Sequence, residues 1–352
     1  MTPIRSIRCA TLLILAGISF PTGNFQFVYG QPSIRHFVFV ERERERIKDA
    51  AILETAQISG AQIKYTWREL EPKKGEYHFE EIQEDLAFLK SRGKELFIQL
   101  QDVSFDSSRI LVPQYLIDEP EYKGGANPQY TIMDSAESDY RIDGWVARRW
   151  DEHVAGRFHA LLTQLGREFD GKIEGINLPE TSVEFGRTGR LYPSGFTTAI
   201  YRDAILANMK ALKAAFPRSV AIQYANFMPG EFPHHSDRRL LRDVYDYAKQ
   251  IGAGVGGPDL LVYEKAHMNN SYGLIRECSG LIPTGIAVQW GNYEHINPRT
   301  GKKSTIPEMY DFARTTLKVC YMFWCTQEPY FSRDLMPFLK SGAGNSTIRR
   351  EP

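Results

Sequence analysis

The sequence predicts a single α/β domain, a (β/α)8 TIM barrel. Three observations carry that expectation. Short β-rich runs alternate with amphipathic helices, the pattern of a parallel sheet with helical crossovers. Eight such runs can be traced, with crossovers of barrel length between them. The 352 residues show no second-domain boundary, internal repeat or low-complexity linker, and barrels of this class reach such lengths as one domain.

The elements follow in order. Residues 36–40, HFVFV, form the first strand candidate. The charged stretch 41–48 alternates in sign and reads as a solvated face. It leads into a helix near 50–58, which Gly60 would close. The second strand is 61–67. The next helix, 79–92, carries Ile82, Leu86 and Leu89 at helical spacing and ends at Gly93. The third strand is 96–102. A connection over 103–144 follows, and one that long in a compact domain is usually functional. A helix over 150–169 precedes strand four at 172–177, and a helix over 201–215 precedes strand five at 219–224. A further helix, 238–251, runs into the glycine-rich segment 252–259. That segment follows a helix, whereas a dinucleotide fingerprint must follow a strand, so it reads as a short sixth strand with close backbone packing. Strand seven at 284–290, a helix over 306–317, strand eight at 319–324 and a short helix over 334–340 complete the barrel. The domain thus spans 31–340, with a polar tail at 341–352.

Composition narrows the function. Lys plus Arg and Asp plus Glu number 43 each, so the formal net charge is zero. A nucleic-acid partner would favour a basic excess, and none is expected. Arg5 and Arg8 precede the apolar run 9–20, the pattern of a secretory signal. Removal of residues 1–30, with Gly30 and Val28 at the cleavage site, predicts a secreted or periplasmic protein without a transmembrane span. Of the four cysteines, Cys9 would leave with the signal. Cys278, Cys320 and Cys325 form no close CxxC pair, so a zinc site is not expected. They read as buried free thiols, with one disulfide through Cys278 left open.

In a barrel of this class functional residues sit at the carboxyl ends of the strands. Those ends offer Trp67, Asp102, Asn177 to Glu180, Tyr224 and Asn226, then Asp259 to Glu264, Gln289 to Glu294 and Trp324 to Glu328. No two- or three-histidine zinc arrangement, GxSxG elbow or phosphate-cradling loop is present among them. His234 and His235 read as a solvated loop without a third ligand. Neither metal nor cofactor is implied. Carboxylates, amides and rings together suit sugar chemistry. One carboxyl protonates the leaving oxygen, a second activates water or attacks, and rings stack on sugar faces.

Residues 67–79, WRELEPKKGEYHF, resemble the W-x-x-L-E-P-x-x-G-x-Y-x-F segment that follows strand two in retaining glycoside hydrolases of the large (β/α)8 superfamily, in particular β-galactosidase-like and cellulase-like members. Residues 112–116 and the helix 150–169 also resemble that group, and the resemblance spans about residues 34–340. It implies an acid/base Glu at the end of strand four, usually directly after an Asn. Here Asn177 precedes Glu180 with two residues inserted, making Glu180 the general acid, with Glu184 as the alternative. It also implies a nucleophilic Glu at the end of strand seven, where this chain carries Gln289. A neutral amide cannot form a glycosyl ester. Three readings stand. Another carboxylate serves, with Glu328 first and Glu294 after it. Or the enzyme inverts, using Glu328, Asp102 or Glu264 as base. Or the barrel is a non-catalytic carbohydrate-binding protein. Trp67, Asp102, Asn177, Asn226, Tyr263, Gln289, Trp290 and Trp324 are the expected substrate-binding residues.

Overall fold

The computed structural model describes residues 33–231 and 239–342. The predicted signal, His234, His235 and residues 343–352 of the tail lie outside the described residues. Eight parallel strands close a barrel: β1 (Arg35–Phe39), β2 (Ile58–Thr66), β3 (Glu95–Gln101), β4 (Gly175–Leu178), β5 (Val220–Tyr224), β6 (Gly254–Gly257), β7 (Thr284–Val288) and β8 (Tyr321–Cys325). Each strand pairs with its neighbours in chain order, and β8 returns to β1 with Phe37 opposite Phe323. The predicted (β/α)8 barrel is therefore the observed fold.

The strand sequences fit this geometry because parallel strands are covered on both faces. In β3 Leu96, Phe97, Ile98 and Leu100 are all fully buried. Phe37, Phe97 and Phe323 fill the barrel interior, with Phe97 and Phe323 edge to face at 4.8 Å between ring centroids. A polar layer crosses the barrel: the Gln62 amide donates to Asn177 Oδ1 at 2.8 Å and to the Tyr224 hydroxyl at 3.1 Å. The glycines of β6 allow close approach, since a Cβ on Gly256 would stand 2.6 Å from the Gly285 carbonyl oxygen.

Helices cover the outside, among them α1 (Glu80–Ser91), α2 (Glu152–Phe169), α3 (Thr198–Ala215) and α4 (Leu240–Ile251). The side chain of Asp151 caps α2 by accepting from the His153 and Val154 amides. Two helical segments between β6 and β7, Lys265–Asn269 and Ser271–Cys278, are not signalled by the sequence pattern. The connection 103–144 is not structureless either. It forms a three-stranded antiparallel sheet from Val103–Ser104, Ala126–Ile132 and Tyr140–Ala147, with a short helix, Gln114–Asp118. Cys278, Cys320 and Cys325 are free thiols, so the open disulfide is not formed. Among the described residues no helix is long and apolar enough to cross a membrane.

The motif at 67–79 has a physical role at the end of β2. Thr66 and Glu69 form a capping box on the short helix Trp67–Leu70. Buried Glu71 accepts from Trp67 Nε1 at 2.9 Å and from the Gly75 amide at 3.0 Å, and it pairs with Arg157 of α2. Trp67 is fully buried against Phe158, with ring centroids 5.0 Å apart. The motif ties β2 to α2, and none of its residues lines the cleft that holds Glu180. Glu71→Ala is expected to destabilise the barrel by about 3–5 kcal/mol, because it strands the Arg157 guanidinium and the indole N–H. Denaturant unfolding would show this as a lower midpoint, with Glu71→Gln losing less.

Candidate active site

The carboxyl ends of β1 to β7 surround a cleft of about 390 Å³. Its floor and walls include Lys64 from β2, Gln99 and Gln101 from β3, and Tyr224 from β5. Glu41, Glu180 and Gln289 enter just beyond β1, β4 and β7. The excursion after β3 builds one wall with Phe105, Asp106, Arg109 and Leu111. A long connection of functional weight was expected there, and it shapes the cleft.

Glu180 is the cleft carboxyl with the most defined surroundings. Its Oε2 accepts from Asn226 Nδ2 at 2.5 Å. Its carboxyl is pushed up to about 7, first by burial and then by the negative charge of Asp259, while Asn226, Arg149 and Lys64 oppose the shift. The backbone that carries it is clamped. Gln223 donates to the Pro179 carbonyl at 2.6 Å, Arg149 Nη1 to the Glu180 carbonyl at 3.2 Å, and the Tyr201 hydroxyl to the Thr181 carbonyl at 3.0 Å. Arg149 itself forms a bidentate pair with Asp102, at 2.8 and 2.6 Å, and donates to the Tyr201 hydroxyl at 2.8 Å.

Two further carboxylates bear on the cleft, Asp259, among the expected strand-end residues, and Glu41. Asp259 follows the lining residue Pro258 after β6, acts on Glu180 through its charge and is held by Asn292 Nδ2 at 3.0 Å. Glu41 stands on the cleft wall, its Oε1 3.9 Å from Lys64 Nζ. Burial lowers the Lys64 ammonium from its ordinary range, and the ammonium lies 4.9 Å from the Phe39 ring centroid. Glu41 was read as part of a solvated face. A left-handed turn at Glu41, φ 52°, ends β1 and carries both Glu41 and Arg42 to the cleft.

The expected site residues divide. Glu180, Gln289 and Asn226 are brought together at the mouth. Asn177 is fully buried one layer below, bonded to Gln62. Asp102 is buried behind the cleft in its pair with Arg149, so no sugar hydroxyl reaches it. Trp67 and Trp324 belong to the core. The Trp324 indole is fully buried and donates to His36 Nδ1 at 3.0 Å. Trp290 is 67% exposed but lies outside the cleft lining. The Tyr263 ring is covered by the Arg299 guanidinium, 3.4 Å from its centroid.

Glu328 is the main displacement. It is exposed and accepts from the Ser332 amide and hydroxyl, at 3.2 and 2.5 Å, outside the cleft lining. The chain turns outward after Gln327, so the carboxylate braces the following turn. Glu294 is exposed and accepts from Gln327 at 3.3 Å, and Glu264 caps the segment Lys265–Asn269. Glu184 accepts from the Gly186 amide at 2.8 Å and also lies outside the cleft lining. Tyr224 is buried in the cleft floor, and the exposed aromatic in the lining is Phe105, 59% exposed on the wall. Its position shortly after a strand end was the available signal. Among the described residues no group of three or more His, Cys, Asp or Glu could hold a metal.

No protein-family model matches the chain, and no curated protein matches it by sequence. Solved structures do match. The catalytic domain of β-amylase from Paenibacillus polymyxa superposes with a TM-score of 0.57 at 7% identity, over 88% of this chain and 98% of that one. Xylanase 10B from Thermotoga petrophila, in complex with xylobiose, gives 0.50 at 10% identity, over 83% and 82%. The shared feature is the (β/α)8 barrel fold. Identities this low establish the fold alone, and the chemistry of this barrel must be argued from its own cleft.

Proposed function

We propose that this chain is an exported glycosidase that hydrolyses O-glycosidic bonds of a polysaccharide or oligosaccharide, with Glu180 as general acid. The observation that carries the reading is a cleft carboxyl whose pKa is raised to about 7 beside the negative charge of Asp259. A carboxyl raised by burial and by a neighbouring negative charge keeps its proton near neutral pH, as a general acid requires. Glu180 donates its proton to the departing glycosidic oxygen as the bond to the anomeric carbon breaks. Asp259 takes a proton from the water that adds to that carbon. Asn226 orients Glu180. Gln99 and Gln289 bond sugar hydroxyls, and Gln99 Oε1 is a buried acceptor with no partner among the described residues. Phe105 offers a ring to a sugar face. The β-amylase and xylanase neighbours favour a glycan ligand, and the basic and apolar pattern of residues 5–20 favours export.

The test is reducing-end release from a panel of α- and β-linked oligosaccharides. The hydrolase reading expects turnover of at least one. Binding without turnover across the panel would instead support a non-catalytic carbohydrate-binding barrel. That second reading is favoured by Gln289, a neutral group at the end of β7 where the resemblance implies a nucleophile.

A further inference from the structure

A second hollow of about 540 Å³ adjoins the cleft over the ends of β2 and β3. The two share Arg42, Arg109 and Leu111 as wall residues, so they run into one another. Three guanidinium groups face this groove, Arg42, Arg68 and Arg109, each from a different segment.

Their charge is poorly neutralised. Arg42 is half-buried and has no ion pair or hydrogen bond among the described residues. Arg68 donates to two neutral acceptors, the Val112 carbonyl at 2.9 Å and Gln114 Oε1 at 3.0 Å. Arg109 pairs with Asp106 through Nε at 3.1 Å, and Asp106 is shared with the Ser108 amide and hydroxyl. The one carboxylate in the groove lining, Glu69, is held by its capping box with Thr66, accepting from the Thr66 amide and hydroxyl. A guanidinium fork matches planar anions such as carboxylate and sulfate in two parallel hydrogen bonds. A neutral glycan offers these guanidinium groups hydroxyl acceptors but no charge to balance theirs.

We propose that the Arg42–Arg68–Arg109 groove binds an anionic sugar unit, carboxylated or sulfated, of a glycan whose neighbouring residue lies in the Glu180 cleft. This substrate class rests on the glycosidase reading for the cleft, but the groove's affinity for an anionic glycan can be measured without turnover. Arg42 bridges the two hollows and would engage the anionic group nearest the cleaved bond. Lys64 stands further into the cleft, so the positive wall continues toward the reacting carbon.

The test uses the full chain carrying Glu180→Gln, so that binding is read without cleavage. Titration calorimetry would compare a uronate oligosaccharide such as tetragalacturonate, a sulfated oligosaccharide of similar length, and neutral maltotetraose, xylotetraose and cellotetraose. The expected result is binding of at least one anionic probe about 10-fold or more tighter than every neutral one, weakening as salt is raised. The tighter of the two anionic probes identifies the substituent. Adding Arg42→Gln should weaken the anionic probe by about 10-fold and cost the neutral probes much less. Among the described residues Arg42 has no hydrogen bond or close ion pair to lose and feels the nearby charge of Asp106, so the fold should persist, and an unchanged melting temperature would verify it. Equal or tighter binding of a neutral probe, or an anionic affinity indifferent to Arg42→Gln, overturns the proposal. Cleavage of neutral glycans by the wild-type chain together with such a failure would leave the hydrolase reading standing. Anionic binding by a chain that cleaves nothing would leave the groove standing and remove the hydrolase.

Discussion

Replacing Glu180 by Gln is expected to lower turnover of any cleaved glycan by about 10²–10⁴-fold, the usual contribution of a positioned general acid. The amide fills the same space and still meets Asn226, so KM should change little while kcat collapses. Steady-state kinetics would separate the two. Turnover that survives Glu180→Gln would remove Glu180 from the chemistry. The pH dependence gives a second readout. The acid is active when protonated, so kcat/KM should fall as pH rises through about 7. Burial is the larger cause of that position and the charge of Asp259 the next. Asp259→Asn should therefore move the alkaline limb toward lower pH, besides removing the proposed base. An alkaline limb unmoved by Asp259→Asn would contradict the electrostatic coupling.

The same proton also links pH to stability. The folded chain holds it up to about pH 7, whereas an ordinary Glu releases it near 4.5. Between those values the folded state binds more protons than the unfolded one, so stability falls as pH rises. The contribution is fully present below about pH 4.5 and lost above about 7. Its size is on the order of 3 kcal/mol at most. In Glu180→Gln this slope should vanish, and above pH 7 the variant should match or exceed the wild type in chemical denaturation. A functional group held against its own solvation is the kind of site where such a gain is expected.

The barrel was legible because its strands are buried on both faces and read as continuous apolar runs, as β3 does. The excursion was not. Ala126–Ile132 and Tyr140–Ala147 lie over the surface, mostly half-buried or exposed, and carry no clean alternation. Glu180 was legible from its place just beyond a strand end. Asp259 stood among the strand-end residues too, but Glu41 was not legible and other expected residues point elsewhere, for two physical reasons. Sign alternation in 41–48 describes a solvated face equally well whether or not the chain reverses, and only the left-handed turn at Glu41 sends two of those residues to the cleft. Position near a strand end also does not say which way a side chain points. Trp67 and Trp324 turn inward to meet Glu71 and His36, and Glu328 turns outward to Ser332. The resemblance motif likewise marks a structural corner, which is why it forecast the fold better than the cleft.

Arg149→Met is expected to be among the most destabilising single changes, at about 3–5 kcal/mol. Arg149 and Asp102 are both buried, and the guanidinium also reaches the Tyr201 hydroxyl and the Glu180 carbonyl. Removing the cation leaves the Asp102 carboxylate in a low-dielectric site with its main partner gone. Met fills part of the stem volume, so the loss should be electrostatic rather than a simple cavity. The double variant Arg149→Met, Asp102→Leu separates these contributions. It should recover much of the loss, because replacing both members of a buried ion pair by apolar groups is often near neutral. Its activity should stay depressed even where its stability returns, since the clamp on the Glu180 carbonyl is gone in both variants. Urea unfolding and kcat measured on the same three proteins would show this. Recovery of full turnover along with stability would mean that the Asp102–Arg149 pair supports only the fold, and that Glu180 is positioned by Asn226 and the Gln223 bond to Pro179 alone.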